Sequence, residues 1–143
     1  MFKYDTEANE WSTLTPMPCA SSYHNANSID GFIYVMGAGN DNQDFLRFDP
    51  ASEVWSSLAP FSNTKESCSS FVLDRCLYVV GGYASYAASV ERYDVVTDKW
   101  TDVGNILEAR RGFCAVTVQA LPTLVEEADL FDVLIAKSTR EHA

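Results

Sequence analysis

An aromatic residue, an aspartate, five further residues and a tryptophan occur in that order three times: Tyr4-Asp5 to Trp11, Phe48-Asp49 to Trp55, and Tyr93-Asp94 to Trp100. The tryptophans stand 44 and 45 residues apart. A second segment keeps the same step: Phe32-Ile33-Tyr34-Val35-Met36-Gly37-Ala38 answers Leu77-Tyr78-Val79-Val80-Gly81-Gly82, with Tyr34 and Tyr78 44 residues apart. A period of this length belongs to repeat architectures, in which each unit buries its apolar face against its neighbours.

Within each period the sequence reads as four short strands. In the first full copy these are Asn25 to Ile29, Phe32 to Met36, Phe45 to Phe48 and Val54 to Leu58. In the second they are Cys68 to Leu73, Leu77 to Val80, Ser89 to Tyr93 and Lys99 to Val103. Asp30-Gly31 marks a tight hairpin between apolar segments, and Asp49-Pro50 opens a turn. Asp74-Arg75 stands where Asp30-Gly31 stood, so the second hairpin lacks a glycine. His24, Asn25 and Asn27 make the first of these strands unusually polar. Two more strands, Met1 to Tyr4 and Trp11 to Leu14, precede the first copy, and one from Phe113 to Val118 follows the second.

A hydrophobic strand ending in Gly81-Gly82, then Tyr93-Asp94, then Trp100, resembles the kelch family, whose repeats are four-stranded blades of a β-propeller. The resemblance covers roughly Met1 to Val118. It implies an all-β fold, a partial kelch propeller over 1–118. Two complete antiparallel blades (units of about 19–62 and 63–107) follow half a blade and precede one strand. Because a closed propeller needs about 4–8 blades and Met1 falls inside a strand, the chain reads as a truncated isoform, a partial gene model or an excised segment. The segment 119–143 departs from the pattern. Thr123 with Glu126 forms a capping box, and Leu124, Ala128, Phe131 and Ile135 recur at helical spacing, which predicts a short C-terminal helix over 124–137, either covering the open edge or standing as non-native sequence with no settled partner.

The recurring residues are expected to be structural: Tyr4, Asp5, Trp11, Gly37, Phe48, Asp49, Trp55, Gly81, Gly82, Tyr93, Asp94 and Trp100. An indole buries about 150–250 Å², and the three tryptophans are expected between neighbouring blades. The aspartates suit turn starts, where a carboxylate accepts backbone amides. Ala38 replaces the second glycine of the first copy, which predicts a less typical turn there.

Composition disfavours several classes of function. The net charge is −10 with no compensating basic block, so phosphate backbones and anionic membranes are poor partners. Cys19, Cys68, Cys76 and Cys114 form no C-x-x-C pair and read as small buried hydrophobes in a reducing compartment, the cytosol by default. Gly37-Ala38-Gly39 begins like a dinucleotide fingerprint, but Asn42 takes the third glycine position. Ser62 to Lys65 matches an acylase string but falls in a loop. Asn40 to Asp44 is oxygen-rich but lacks the closing glutamate of a calcium loop, Ser52 being there instead. His24 and His142 are the only histidines. No catalytic, metal or cofactor site is expected.

Binding remains. In kelch proteins the loops between second and third strands, and those between blades, share one face. Here they carry Tyr23, His24, Asn40, Asp41, Lys65, Tyr83, Tyr86, Arg110 and Arg111. Aromatic and arginine side chains on held loops are what protein interfaces are rich in. The resemblance is greatest to kelch proteins with a BTB domain, substrate receptors of cullin-type ubiquitin ligases. It implies a protein partner on the loop face, with cullin contact only through domains not found in 1–143. An actin-binding kelch scaffold is the second reading, and a galactose-oxidase-like enzyme the third.

Overall fold

The computed structural model describes residues 1–38, 44–61, 66–83, 88–117 and the backbone of 134–136. Every described element is a strand. β1 (Phe2–Asp5) and β2 (Glu10–Thr13) form a hairpin. β3 (Asn25–Ile29), β4 (Phe32–Ala38), β5 (Asp44–Asp49) and β6 (Val54–Ser57) form one antiparallel sheet in that order. β7 (Ser69–Leu73), β8 (Cys76–Val80), β9 (Ser89–Asp94) and β10 (Lys99–Asn105) form a second, and β11 (Cys114–Val116) pairs with β12 (Leu134–Ala136). The two four-stranded meanders are the two complete blades expected.

Registers repeat along with the sequence. Tyr4 faces Trp11, Phe48 faces Trp55 and Tyr93 faces Trp100. The β1–β2 hairpin is therefore the outer half of a blade. In the turns between these strands Asp5 Oδ1 accepts the amides of Glu7 and Ala8, Asp49 Oδ1 that of Ala51, and Asp94 Oδ1 those of Val96 and Thr97, at 2.8–3.1 Å. Asn9, Glu53 and Asp98 end the three turns in the left-handed region, at φ 55°, 55° and 52°.

The main core lies between the blades. Tyr34, Met36 and Phe45 of the first meet Leu77, Val79 and Tyr93 of the second, with Phe61 beside them and Trp100 packed on the cluster. Ring centroids of Phe45 lie 4.6 Å from Tyr93 and 5.1 Å from Trp100, both edge-on, the arrangement aromatic quadrupoles favour. A smaller cluster joins the hairpin's exit to the first blade: Met17 and Cys19 pack on Val35 and Leu46, as does Trp55.

Polar bonds lock each seam onto one residue of the preceding unit. Trp100 Nε1 donates to the carbonyl of Ala59 (2.8 Å), while the amide of Ala59 donates to Asp98 Oδ1 (3.1 Å). One repeat earlier Trp55 Nε1 donates to Thr15 O (3.3 Å), and Thr15 N to Glu53 Oε2 (3.1 Å). Trp55 and Trp100 thus occupy equivalent places between blades, as expected. Trp11 does not: it is 71% exposed and, among the described residues, packs its ring only on Tyr4, at 5.0 Å, because no described unit precedes it to offer a wall.

The polar first strand has a direct explanation. Asn25 Nδ2 donates to Cys68 O (2.8 Å) and Asn27 Nδ2 to Ser70 Oγ (2.6 Å), so these amides stitch β3 to the neighbouring blade. Ser69 Oγ continues the pattern by accepting from Ala115 N (2.7 Å), which holds β11 beside β7. Asp74-Arg75 forms the same turn as Asp30-Gly31, both residues at positive φ, and Arg75 donates to Asp30 across the seam. At Ala38 the strand continues through a bulge, with Gly37 at φ 76°, and pairs with Asp44.

The helix expected over 124–137 is corrected in its last turn. Leu134–Ala136 is a strand, paired with β11 in the register that β8 keeps with β7. A strand edge exposes unpaired backbone groups, and pairing with β11 satisfies them where a helical turn could not. The remainder of that span lies outside the described residues.

Two measurements test this account. Trp100→Ala should lower stability by about 3–5 kcal/mol, the cost of deleting a large packed ring, whereas Val96→Ala, at an 83% exposed site, should stay within about 0.5 kcal/mol; denaturant midpoints compare them. The turn hydrogen bonds hold Asp5, Asp49 and Asp94 below the ordinary carboxylate pKa of 3.8, through backbone donors in Asp5 and Asp94 and chiefly through Ser52 Oγ in Asp49. Their contribution is therefore complete above pH 3.8 and declines as pH falls through the lowered native values. The Asp5→Asn/Asp49→Asn/Asp94→Asn variant should show a shallower loss of thermal stability across that acid range.

Candidate functional site

The loop face is organised by the double glycine that ends β8. Gly81 N donates to Ser89 O (2.9 Å), closing the strand onto β9. Gly82 N then donates to Arg110 O and Tyr83 N to Glu66 O, each at 2.9 Å, while Gly112 N donates to Ser67 O at 2.8 Å. Three segments, the end of β8 and the crossings before β7 and β11, are tied together by main-chain bonds. Gly82 is required by this docking. At φ 123°, a Cβ there would meet Glu66 O at 3.2 Å and the Cys68 side chain at 3.5 Å.

Tyr83, Arg110 and Arg111 are brought together at this junction. Tyr83 is 52% exposed, and the Arg111 guanidinium carbon lies 4.7 Å from its ring centroid. Such a cation–π contact contributes about 0.5–1 kcal/mol at an exposed site. Arg110 Nη2 lies 3.0 Å from Glu108 Oε2, which orients the guanidinium along the crossing. The result is a half-exposed aromatic stacked under Arg111, with its own amide and the Arg110 carbonyl held by main-chain bonds.

Tyr23 and His24 lie on the first crossing, and both are exposed. Tyr23 holds φ 58°, one repeat before Ser67 (φ 55°) and two before Gly112 (φ 59°). A left-handed tyrosine, 68% exposed, stores backbone strain of about 1–3 kcal/mol, and such residues cluster at functional positions. Ser21 Oγ donates to Gly37 O (3.0 Å), binding this crossing to the end of β4 much as the later crossings bind the end of β8. Asn40, Asp41, Lys65 and Tyr86 lie outside the described residues.

Sequence reasoning missed the residues that hold the face. Glu66 and Ser67 act through backbone carbonyls, which leave no mark in side-chain identity. Glu53 and Asp98 did carry a signal. An oxygen-bearing side chain stands two residues before each tryptophan, in Asn9, Glu53 and Asp98. Where the motif aromatic is tyrosine, its hydroxyl donates to the shorter side chain: Tyr93 to Asp98 at 2.7 Å, and Tyr4 to Asn9. Phe48 has no hydroxyl and is matched with the longer glutamate. Burial first, then Asp98, pushes the Tyr93 hydroxyl above its ordinary pKa, so it stays a donor.

Comparison with known families agrees with this geometry: the Kelch motif matches residues 66–106, from the crossing before β7 to the end of the second blade. This is a kelch-repeat chain. It is similar to Kelch-like protein 23 of Homo sapiens, 30% identical over 125 residues, which are 80% of this chain and 21% of that protein. It is also similar to Kelch-like protein 36 of Bos taurus, 26% identical over 137 residues (87% and 22%). A third relative is Kelch repeat and BTB domain-containing protein 8 of Homo sapiens, 30% identical over 101 residues (68% and 16%). The chain spans about a fifth of the length of the curated relatives it matches. Kelch blades of this kind, with such relatives, point to a protein-binding module.

Gly82→Ala should separate the docking of the crossings from the blade itself. The strained φ and the contact with Glu66 O predict a loss exceeding about 1 kcal/mol. Gly31→Ala, with nothing within 4 Å of the added Cβ, bears only the cost of its positive φ. Paired chemical denaturation with amide exchange at Tyr83 and Gly112 checks this, since only Gly82→Ala should speed exchange at both amides.

Proposed function

We propose that this chain is a partner-recognition module of a BTB-kelch adaptor for a cullin-type ubiquitin ligase, holding its target on the face that carries Tyr83, Arg110, Arg111, Tyr23 and His24. The single observation that carries the reading is the Arg111–Tyr83 stack, half-exposed and clamped through Gly82 to two inter-blade crossings. Aromatic and arginine side chains dominate interface energetics when they are held on rigid backbone, because little side-chain entropy remains to be lost on binding. A relative named for both a kelch repeat and a BTB domain supports the adaptor half. In that arrangement the blades hold the target and the BTB domain, which 1–143 does not resemble, meets the ligase. Asn40, Asp41, Lys65 and Tyr86 belong to the same proposed surface.

The experiment compares wild type with Tyr83→Ala/Arg110→Ala as bait, followed by measured affinity for each captured protein. Loss of about 1.4 kcal/mol or more, a tenfold weakening, with unchanged melting behaviour is the expected result; equal affinity before and after removes the loop-face reading. Excess wild-type module should also compete with intact adaptors, so that the captured target loses ubiquitin and accumulates. Co-sedimentation with actin filaments and no change in ubiquitin would favour the scaffold reading instead.

A further inference from the structure

The two seams are built on the same grip but differ at one side chain. At the second seam the gripped residue is Ala59, followed by Pro60; at the first it is Thr15, followed by Pro16. Each of the two accepts an indole N–H at its carbonyl and donates its amide to a carboxylate. Thr15 adds a hydroxyl, which donates to the same Glu53 Oε2 that takes its amide, at 3.2 Å. We propose that Thr15 is a phosphorylation site for a proline-directed protein kinase, and that its phosphate opens the seam between β2 and β6. This inference does not rest on the recognition reading.

Three observations carry it. The first is the acceptor. Of the five prolines only Pro16 follows a serine or threonine, so a kinase that requires proline after its acceptor finds a single site in this sequence. The second is access. Thr15 is exposed, in a stretch from 14 to 17 without regular structure. Proline at the next position biases its backbone toward the extended region, the shape a kinase cleft takes up. The rim position itself gives this exposure, since the equivalent Ala59-Pro60, set between two complete blades, also reaches solvent.

The third is the neighbour. Glu53 ends its turn at φ 55° and holds Thr15 through one carboxylate oxygen, while Trp55, two residues on, holds Thr15 O at 3.3 Å. In the transfer Thr15 Oγ1 attacks the γ-phosphorus of ATP. The new O–P bond forms as the bond to ADP breaks; ADP leaves with that electron pair, and the hydroxyl proton passes to the kinase's catalytic carboxylate. The phosphate carries a charge of about −1.5 to −2. On Oγ1 it stands nearer to Glu53 than the about 8 Å over which physiological salt screens charges. A donor is lost, an anion replaces it, and the carboxylate that holds the Thr15 amide is driven off. The Ala59 seam, with Asp98 in the place of Glu53, has no hydroxyl at that residue and is insensitive to the same enzyme.

The test treats the 143-residue chain with magnesium ATP and a mitogen-activated protein kinase, a proline-directed enzyme, and locates the phosphate by mass spectrometry. Phosphate on Thr15 is expected, with none at that position in Pro16→Ala or Thr15→Ala chains. Hydrogen exchange of the indole N–H groups then reads the seams. Phosphorylation should speed exchange at Trp55 by about tenfold or more, the scale of losing bonds to a charged acceptor, and leave Trp100 unchanged. Thr15→Ala should keep the Trp55 indole protected, as Ala59 keeps that of Trp100. In Glu53→Gln the phosphate should accelerate Trp55 far less, because the facing charge is gone. Absence of phosphate on Thr15 overturns the proposal, as does a phosphorylated chain with unaltered Trp55 exchange, or an equal acceleration in Glu53→Gln.

Discussion

The grip of each complete blade on a single residue of the unit before it is the constraint on which the rest of this structure depends. At Ala59 the indole of Trp100 takes the carbonyl and Asp98 takes the amide; at Thr15 Trp55 and Glu53 do the same. A net hydrogen bond contributes about 0.5–1.5 kcal/mol, so a seam assembled out of register would forfeit two such bonds and the packing of a large ring together. That coupling gives the stack a direction. The indoles of Trp55 and Trp100 both point back toward the preceding unit, and the first blade offers the second an aromatic and aliphatic wall.

Much of this was legible in the sequence because it rests on side-chain identity at a fixed interval. Tyr93, Asp94 and Trp100 are recognisable as one device, and the strands of the two copies are found close to where the apolar segments and turn residues placed them. What escaped notice is of two kinds. The docking of Gly82 and Tyr83 onto Arg110 and Glu66 runs through main-chain atoms, and no residue type announces a carbonyl acceptor. At Leu134–Ala136 the apolar spacing suited a helix, yet the backbone pairs with β11; long-range edge pairing overrode a local pattern. The polar character of Asn25 and Asn27 was visible, but its reason was not, since their acceptors, Cys68 O and Ser70 Oγ, lie 43 residues away.

The candidate binding face inherits its rigidity from this arrangement. Tyr83 and Arg111 are surface residues, but the peptides that carry them are bonded to crossings anchored in the seams on either side. A loop so tied can present a large aromatic half exposed without its collapsing onto the blade. The face is most firmly built at the second blade and the crossings that flank it. The first blade reaches a similar end by other means, with Ser21 on Gly37 and a left-handed Tyr23.

The inner ladder formed by Asn25, Asn27 and Ser69 differs in kind from the aromatic seam outside it. Apolar contact loses strength on cooling, while amide and hydroxyl bridges do not share that temperature dependence. Neighbouring leaflets are therefore joined by two fasteners that fail under different conditions. Chilling loosens the outer rim first, so that the leaflets part like the pages of a book still sewn at the spine.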